Sequence, residues 1–129
     1  MQTLKHEHIV QYEGCFVRAD QLHICMEYMD GKPAGLSADS VANMLKKYGP
    51  FQEEHIARYT FQVLKGLHYL HSKHIIHSDL KVRPPSLPHP QGANILTDRD
   101  GTVKLADFGA SRNLSKLSSS SQSQGAGRE

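Results

Sequence analysis

The chain has 129 residues, enough for one modest domain, and 38% of them are hydrophobic, enough to support a core. Its formal net charge is +2 with acids and bases interleaved, which gives no reason to expect nucleic acid or an anionic membrane as a partner. No apolar run approaches the roughly 20 residues of a membrane helix, and the opening MQTLKHEHIVQY lacks the basic-then-apolar layout of a secretion signal.

In chain order, HEH (6–8) reads as a solvated turn. Two strand-like runs follow, around Val10–Val17 and Leu22–Met29, with RADQ turning between them, so a β-hairpin is expected. Cys15 and Cys25 stand singly among apolar neighbours and are expected to be reduced core thiols of a cytoplasmic protein. DGKPAGLSAD (30–39) is a polar loop. Ser40 can cap a short helix in SVANMLKKYG, which Gly49-Pro50 stops. Gln52 to His71 carries the strongest helical pattern. Ile56, Val63, Leu64, Leu67 and Leu70 recur near helical spacing, Tyr59 and Phe61 widen the face, and Glu53 and Glu54 suit the first turn. NILTDRDGTVKLAD reads as two short strands joined at Asp100-Gly101. Residues 115–129 offer little to bury and are expected to be a disordered Ser-rich tail behind a domain of residues 1–114.

Three pieces carry chemistry: HSDLK (77–81), GANIL (92–96) and DFG (107–109) behind the apolar strand VKLA. Transfer of a phosphoryl group asks for few reactive groups and much positioning. Asp79 can accept or orient the proton of an attacking hydroxyl. Lys81, two residues on, can offset charge on the phosphate. Asn94 offers an amide oxygen and Asp107 a carboxylate, the hard oxygen ligands that Mg2+ takes. A lone DFG is weak; the three pieces in this order, with a hairpin between the last two, are specific. The histidines His68, His71, His74 and His77 recur every third residue, but a helix ending near His71 cannot put all four on one face, so zinc is not expected. Asp98 and Asp100 resemble the start of a calcium loop, yet no glutamate follows at the required distance, and a plain hairpin turn is expected.

HIVQYEG, MEYM, SVANML, GLHYLHSKHIIH, GANIL and VKLADFGASR together resemble the eukaryotic protein kinases, and more narrowly the mitogen-activated protein kinase kinase kinases, over most of residues 4 to 114. The resemblance implies an α+β, incomplete kinase-like fold: the end of the upper lobe, the hinge, and the start of a helical lower lobe. It implies a serine/threonine kinase that uses ATP and Mg2+, with catalytic Asp79 and Lys81, and Asn94 and Asp107 as metal ligands. Met26 would stand as gatekeeper beside the adenine pocket. Glu27 and Met29 would present hinge backbone groups to the base, Leu96 would lie under the ring, and His77 and Phe108 would stack between the lobes. The implied partners are ATP and a protein substrate, a MAP kinase kinase by family; nucleic acid and membrane are not among them. The long helix should be the best-buried element, yet leave exposed the apolar surface that a whole kinase covers with later helices.

The departures define the alternative. The glycine-rich phosphate loop, the third-strand lysine and the helix-C glutamate do not occur in this sequence. The chain alone is therefore expected to transfer no phosphate at a useful rate, and a catalytically inactive kinase fragment, or an incompletely predicted gene, acting at most as an interaction module, stays open. Ser78 replaces the arginine of His-Arg-Asp, which puts phosphate-dependent control through that arginine in doubt. Ten residues separate Met29 from Ser40, a longer connection than the family carries, with an insertion near 31–37. Fourteen residues separate Asp79 from Asn94, where the signature has about four. The excess matches VRPPSLPHPQ (82–91), and its removal restores HSDLKGANIL. Four prolines beside the phosphate site serve no chemistry, and the segment can be encoded with a splice donor, a pyrimidine tract and an acceptor. A translated in-frame intron is the expected origin, a solvent loop the alternative.

Overall fold

The computed structural model describes residues 4–30, 38–80 and 94–114. The loop at 31–37, Lys81, the insert at 82–91 and the tail at 115–129 lie outside the described residues, and with them the expectations placed on those segments.

The upper part is an antiparallel hairpin of β1 (Tyr12–Arg18) and β2 (Gln21–Met26), with Val17 opposite Leu22 and a bulge between Tyr12 and Gly14. Ala19 and Asp20 both take positive φ (48° and 60°), the mirror-image turn whose twist matches paired strands. β2 ends at Met26, earlier than the pattern suggested, and Glu27–Met29 follow as a connecting segment. The register corrects the cysteine expectation. Cys15 faces Ile24 and Cys25 faces Gly14, so the two thiols lie on opposite faces of the hairpin, and neither belongs to a core: Cys15 is exposed and Cys25 half-buried. The hairpin instead leaves Phe16, Val17, Leu22 and Ile24 in solvent.

β3 (Asp39–Ser40) leads directly into α1 (Val41–Tyr48). Ser40 Oγ accepts from the Asn43 N–H at 3.2 Å, the expected cap, and Lys46 and Lys47 occupy the last turn. Gly49, at φ 79°, closes the helix with its N–H on Leu45 O. α2 (Glu53–Ser72) runs for 20 residues from Gln52, whose side chain makes no cap bond; Glu53 and Glu54 supply the negative charge there. After α2 come β4 (Ile75–Ile76), β5 (Ile95–Thr97), β6 (Val103–Leu105) and β7 (Arg112–Asn113). The strands β3, β5 and β6 form one antiparallel sheet and β4 pairs with β7. The β5–β6 turn is held by Asp98, whose Oδ1 accepts from the Asp100 and Thr102 N–H groups, with Gly101 at φ 81°. This is a hairpin turn, as read.

The architecture is the expected α+β mixture, but burial is distributed differently. β6 is the best-buried element: Val103 and Leu105 are fully covered, whereas α2 buries only Gly66 and Leu70 and exposes Ile56, Phe61 and Leu64. The cause is position. β6 is flanked by β5 on one edge and the Leu4–Val10 segment on the other, with α2 packed against it; Leu105 N–H donates to His8 O and Val10 N–H to Leu105 O, both at 2.9 Å. Ile9, Leu70 and Leu105 form the main core, with Val63, Leu67 and Phe108 against it; Val10, Met29 and Ala106 form a second, with Leu96 against it. The HEH turn is a turn, but His8 is not solvated. It is buried, donates from Nδ1 to Val103 O at 2.9 Å, and holds Nε2 3.3 Å from Glu7 Oε1. Its hydrogen bonds make that burial tolerable.

Candidate functional site

The site is built where the β4 end, β5 and β6 meet. His77, just beyond β4, is buried, and its Nε2 lies 2.9 Å from Ala106 O. A carbonyl only accepts, so Nε2 carries the proton, and Nδ1 is left to accept from the Asp79 N–H at 3.4 Å. The ring therefore links the Asp79 backbone to the residue that precedes Asp107. Phe108 packs against it, ring centroids 4.9 Å apart and tilted by 51°. Ser78, between the two, is exposed and takes φ 67°, a conformation that costs a residue with a Cβ. That turn directs Asp79 away from the strand line.

Asn94 reaches Asp79 across the inserted segment. Its Nδ2 donates to Asp79 O at 3.0 Å and to Asp79 Oδ2 at 2.8 Å. Both partners are acceptors, which forces the nitrogen to that side and turns the amide oxygen Oδ1 the other way. The Asn94 carbonyl accepts from Ala106 N–H at 2.9 Å, so Asn94 stands beside the start of DFG. Asp107 follows at φ 60°, exposed, with Oδ1 accepting from Gly109 N–H at 3.1 Å. Gly109 permits this approach: a Cβ there would lie 3.1 Å from the same oxygen. Asp79 and Asn94 are thus hydrogen-bonded to each other and, through His77 and the Asn94 carbonyl, to Ala106, the residue that precedes Asp107; of the four predicted catalytic and metal-binding residues, only Lys81 is outside the described residues.

The donor set suits a hard divalent cation. Asn94 Oδ1 and the Asp107 carboxylate are oxygen donors on adjacent strand ends, and Mg2+ is characteristically held by one or two such groups with substrate phosphates completing the shell. Among the described residues no three of His, Cys, Asp and Glu gather as a metal cluster; His68, His71 and His74 are all exposed.

The adenine-side residues are placed as follows. Met26 ends β2 opposite Tyr12 and is 54% exposed. Glu27 donates its N–H to Gln11 O at 2.9 Å, while its carboxylate accepts from Gln11 N–H at 2.7 Å and from Lys104 Nζ at 2.7 and 2.8 Å. Met29 is buried, and its carbonyl accepts from Ala38 N–H at 2.8 Å. Leu96 packs against the Val10, Met29 and Ala106 cluster, directly beneath the connecting segment. Sequence reasoning missed the Lys104–Glu27 pair. The two residues are 77 apart, and only the β5–β6 register, which sets Lys104 opposite Leu96, reveals that they meet.

The protein kinase domain family matches residues 1–127. Over 117 residues the chain is 44% identical to the serine/threonine-protein kinase STE11 of Saccharomyces cerevisiae, covering 91% of this chain and 14% of that protein. It is 45% identical over 119 residues to the human mitogen-activated protein kinase kinase kinase 3, covering 91% and 16%. It is 40% identical over 117 residues to the mitogen-activated protein kinase kinase kinase ANP1 of Arabidopsis thaliana, covering 91% and 15%. The chain therefore spans about one sixth or less of the length of these relatives.

Proposed function

The chain belongs to the protein kinase family, and from that premise we propose that it is the catalytic-loop segment of a cytoplasmic serine/threonine kinase that moves the γ-phosphoryl group of ATP to a protein hydroxyl in a MAP kinase cascade. The observation that carries the reading is the double hydrogen bond from Asn94 Nδ2 to Asp79. It fixes the carboxylate that handles the hydroxyl proton against the amide that would hold Mg2+, so base and metal ligand keep one geometry. That is the demand of a reaction dominated by positioning.

In this reading the Asp79 carboxylate, held through Oδ2 by Asn94, orients the attacking hydroxyl and takes its proton. Asn94 Oδ1 and Asp107 hold Mg2+, which when bound neutralises charge on the phosphates. Lys81, two residues after Asp79 in the sequence, would offset charge on the transferred group. The Glu27 carbonyl and the Met29 N–H, neither of which has a hydrogen-bond partner among the described residues, read the adenine edge beside Met26 and above Leu96. The buried His77 and the half-buried Phe108 keep the Asp79 and Asp107 turns in register. By family, the substrate is a MAP kinase kinase.

The test uses the full-length product that contains this segment. Asp79→Asn should lower kcat by about two to four orders of magnitude with little change in the KM for ATP. Asp107→Asn should raise the Mg2+ concentration needed for half-maximal rate. Phosphate transfer that survives Asp79→Asn at the unsubstituted rate would overturn the reading.

A further inference from the structure

The Glu27 side chain sits in an unusual hydrogen-bond exchange. In an antiparallel pair, two residues that face each other as a hydrogen-bonded pair normally trade both N–H···O=C bonds. Gln11 and Glu27 trade only one. Glu27 N–H donates to Gln11 O at 2.9 Å, but Gln11 N–H turns to the Glu27 carboxylate at 2.7 Å instead of the Glu27 carbonyl. The carboxylate is itself pinned by Lys104 Nζ through both oxygens, and the two side chains are about four-fifths buried. Lys104 faces Leu96 across the β5–β6 pair, hence shares its side of the sheet, and lies three positions before Asp107.

We propose that Lys104 is a positioning residue for adenine recognition: by holding the Glu27 carboxylate on the Gln11 N–H, it keeps the Glu27 carbonyl unpaired and open to the 6-amino group of the base. Without the ammonium, the carboxylate gains more by turning to water than by staying against a single backbone N–H. The Gln11 N–H is then left to its ordinary partner, the Glu27 carbonyl, since the reciprocal bond from Glu27 N–H to Gln11 O is already made at 2.9 Å. The acceptor meant for the ligand is consumed by the protein's own strand pairing. The inference rests on the hinge reading given above and deepens it by naming what keeps the hinge carbonyl available.

The experiment compares adenosine with purine riboside, the same nucleoside without the 6-amino group, by following backbone amide shifts of the chain during titration to millimolar concentration. The unsubstituted chain should bind adenosine about three- to tenfold more tightly, the contribution of one hydrogen bond. Lys104→Met and, independently, Glu27→Ala should bring that ratio close to one, while Lys104→Arg, which keeps a charged donor on the carboxylate, should retain most of it. A purely structural loss would weaken both nucleosides together and leave the ratio intact, so an unchanged ratio in both Lys104→Met and Glu27→Ala overturns the proposal. Equal binding of the two nucleosides by the unsubstituted chain would refute the hinge reading itself, and the Lys104 role with it.

Discussion

Gly66 is the point where α2 comes closest to the strand layer, and Gly66→Ala separates helix propensity from packing. In an exposed helix interior this change stabilises by about 1 kcal/mol. Here an added Cβ would stand 2.9 Å from the His8 carbonyl oxygen and 3.1 Å from Leu105 Cδ1. The nearer atom is backbone and cannot rotate away, so α2 and the His8–Ile9 segment must part. Overpacking of this kind costs about 1–3 kcal/mol. The same oxygen accepts the Leu105 N–H at 2.9 Å, so parting also weakens a hydrogen bond worth about 1 kcal/mol. The propensity gain offsets roughly a third of this, leaving a net loss of about 2 kcal/mol. Urea unfolding followed by far-ultraviolet circular dichroism at low protein concentration should show the midpoint falling by about 2 M, for a slope near 1 kcal/mol per M. Ala57→Gly, at an exposed position of the same helix, is the control and should cost about 1 kcal/mol. If Gly66→Ala raises the midpoint by as much as Ala57→Gly lowers it, the close approach does not exist and the argument from it fails.

Ser40→Ala should cost about 1 kcal/mol and speed amide exchange in the first turn of α1, because the Asn43 N–H loses its acceptor; unchanged exchange there would remove the cap from the account. The Lys47 ammonium, hydrogen-bonded to Asp39 at 2.7 Å, holds the Asp39 carboxyl below the usual carboxylate range. A lowered folded value means the contribution is present above the ordinary pKa of about 4 and is lost as pH falls through the lower folded value. Lys47→Met should therefore flatten the stability profile in that acid window, and an identical profile would count against the pair. The exposed Phe61 and Leu64 of α2 should make the folded chain bind a hydrophobic dye, and Phe61→Ser with Leu64→Gln should dim the dye signal at constant helix content.

The residues themselves determined the local elements. Ser40 with Gly49 bounded α1, the 3.6-residue recurrence of Val63, Leu67 and Leu70 marked α2, and Asp100-Gly101 marked the β5–β6 turn, because caps, periodicity and turns depend on neighbours in sequence. The pieces HSDLK, GAN and DFG also named the candidate site, since their chemistry is written in residue types. What they could not convey was which distant groups meet. His8 looked like a solvated histidine until β6 came to lie over it, and the two cysteines looked like core until the hairpin register set them on opposite faces. α2 looked like the best-buried element because its pattern is apolar, but burial is decided by what packs against each face, and β6 is the element flanked by β5 and the Leu4–Val10 segment and covered by α2. Asp79 and Asn94, separated by an insert that sequence alone pushed apart, were joined only by the fold. The Lys104–Glu27 pair has no local signature, because a contact across 77 residues is fixed by strand register.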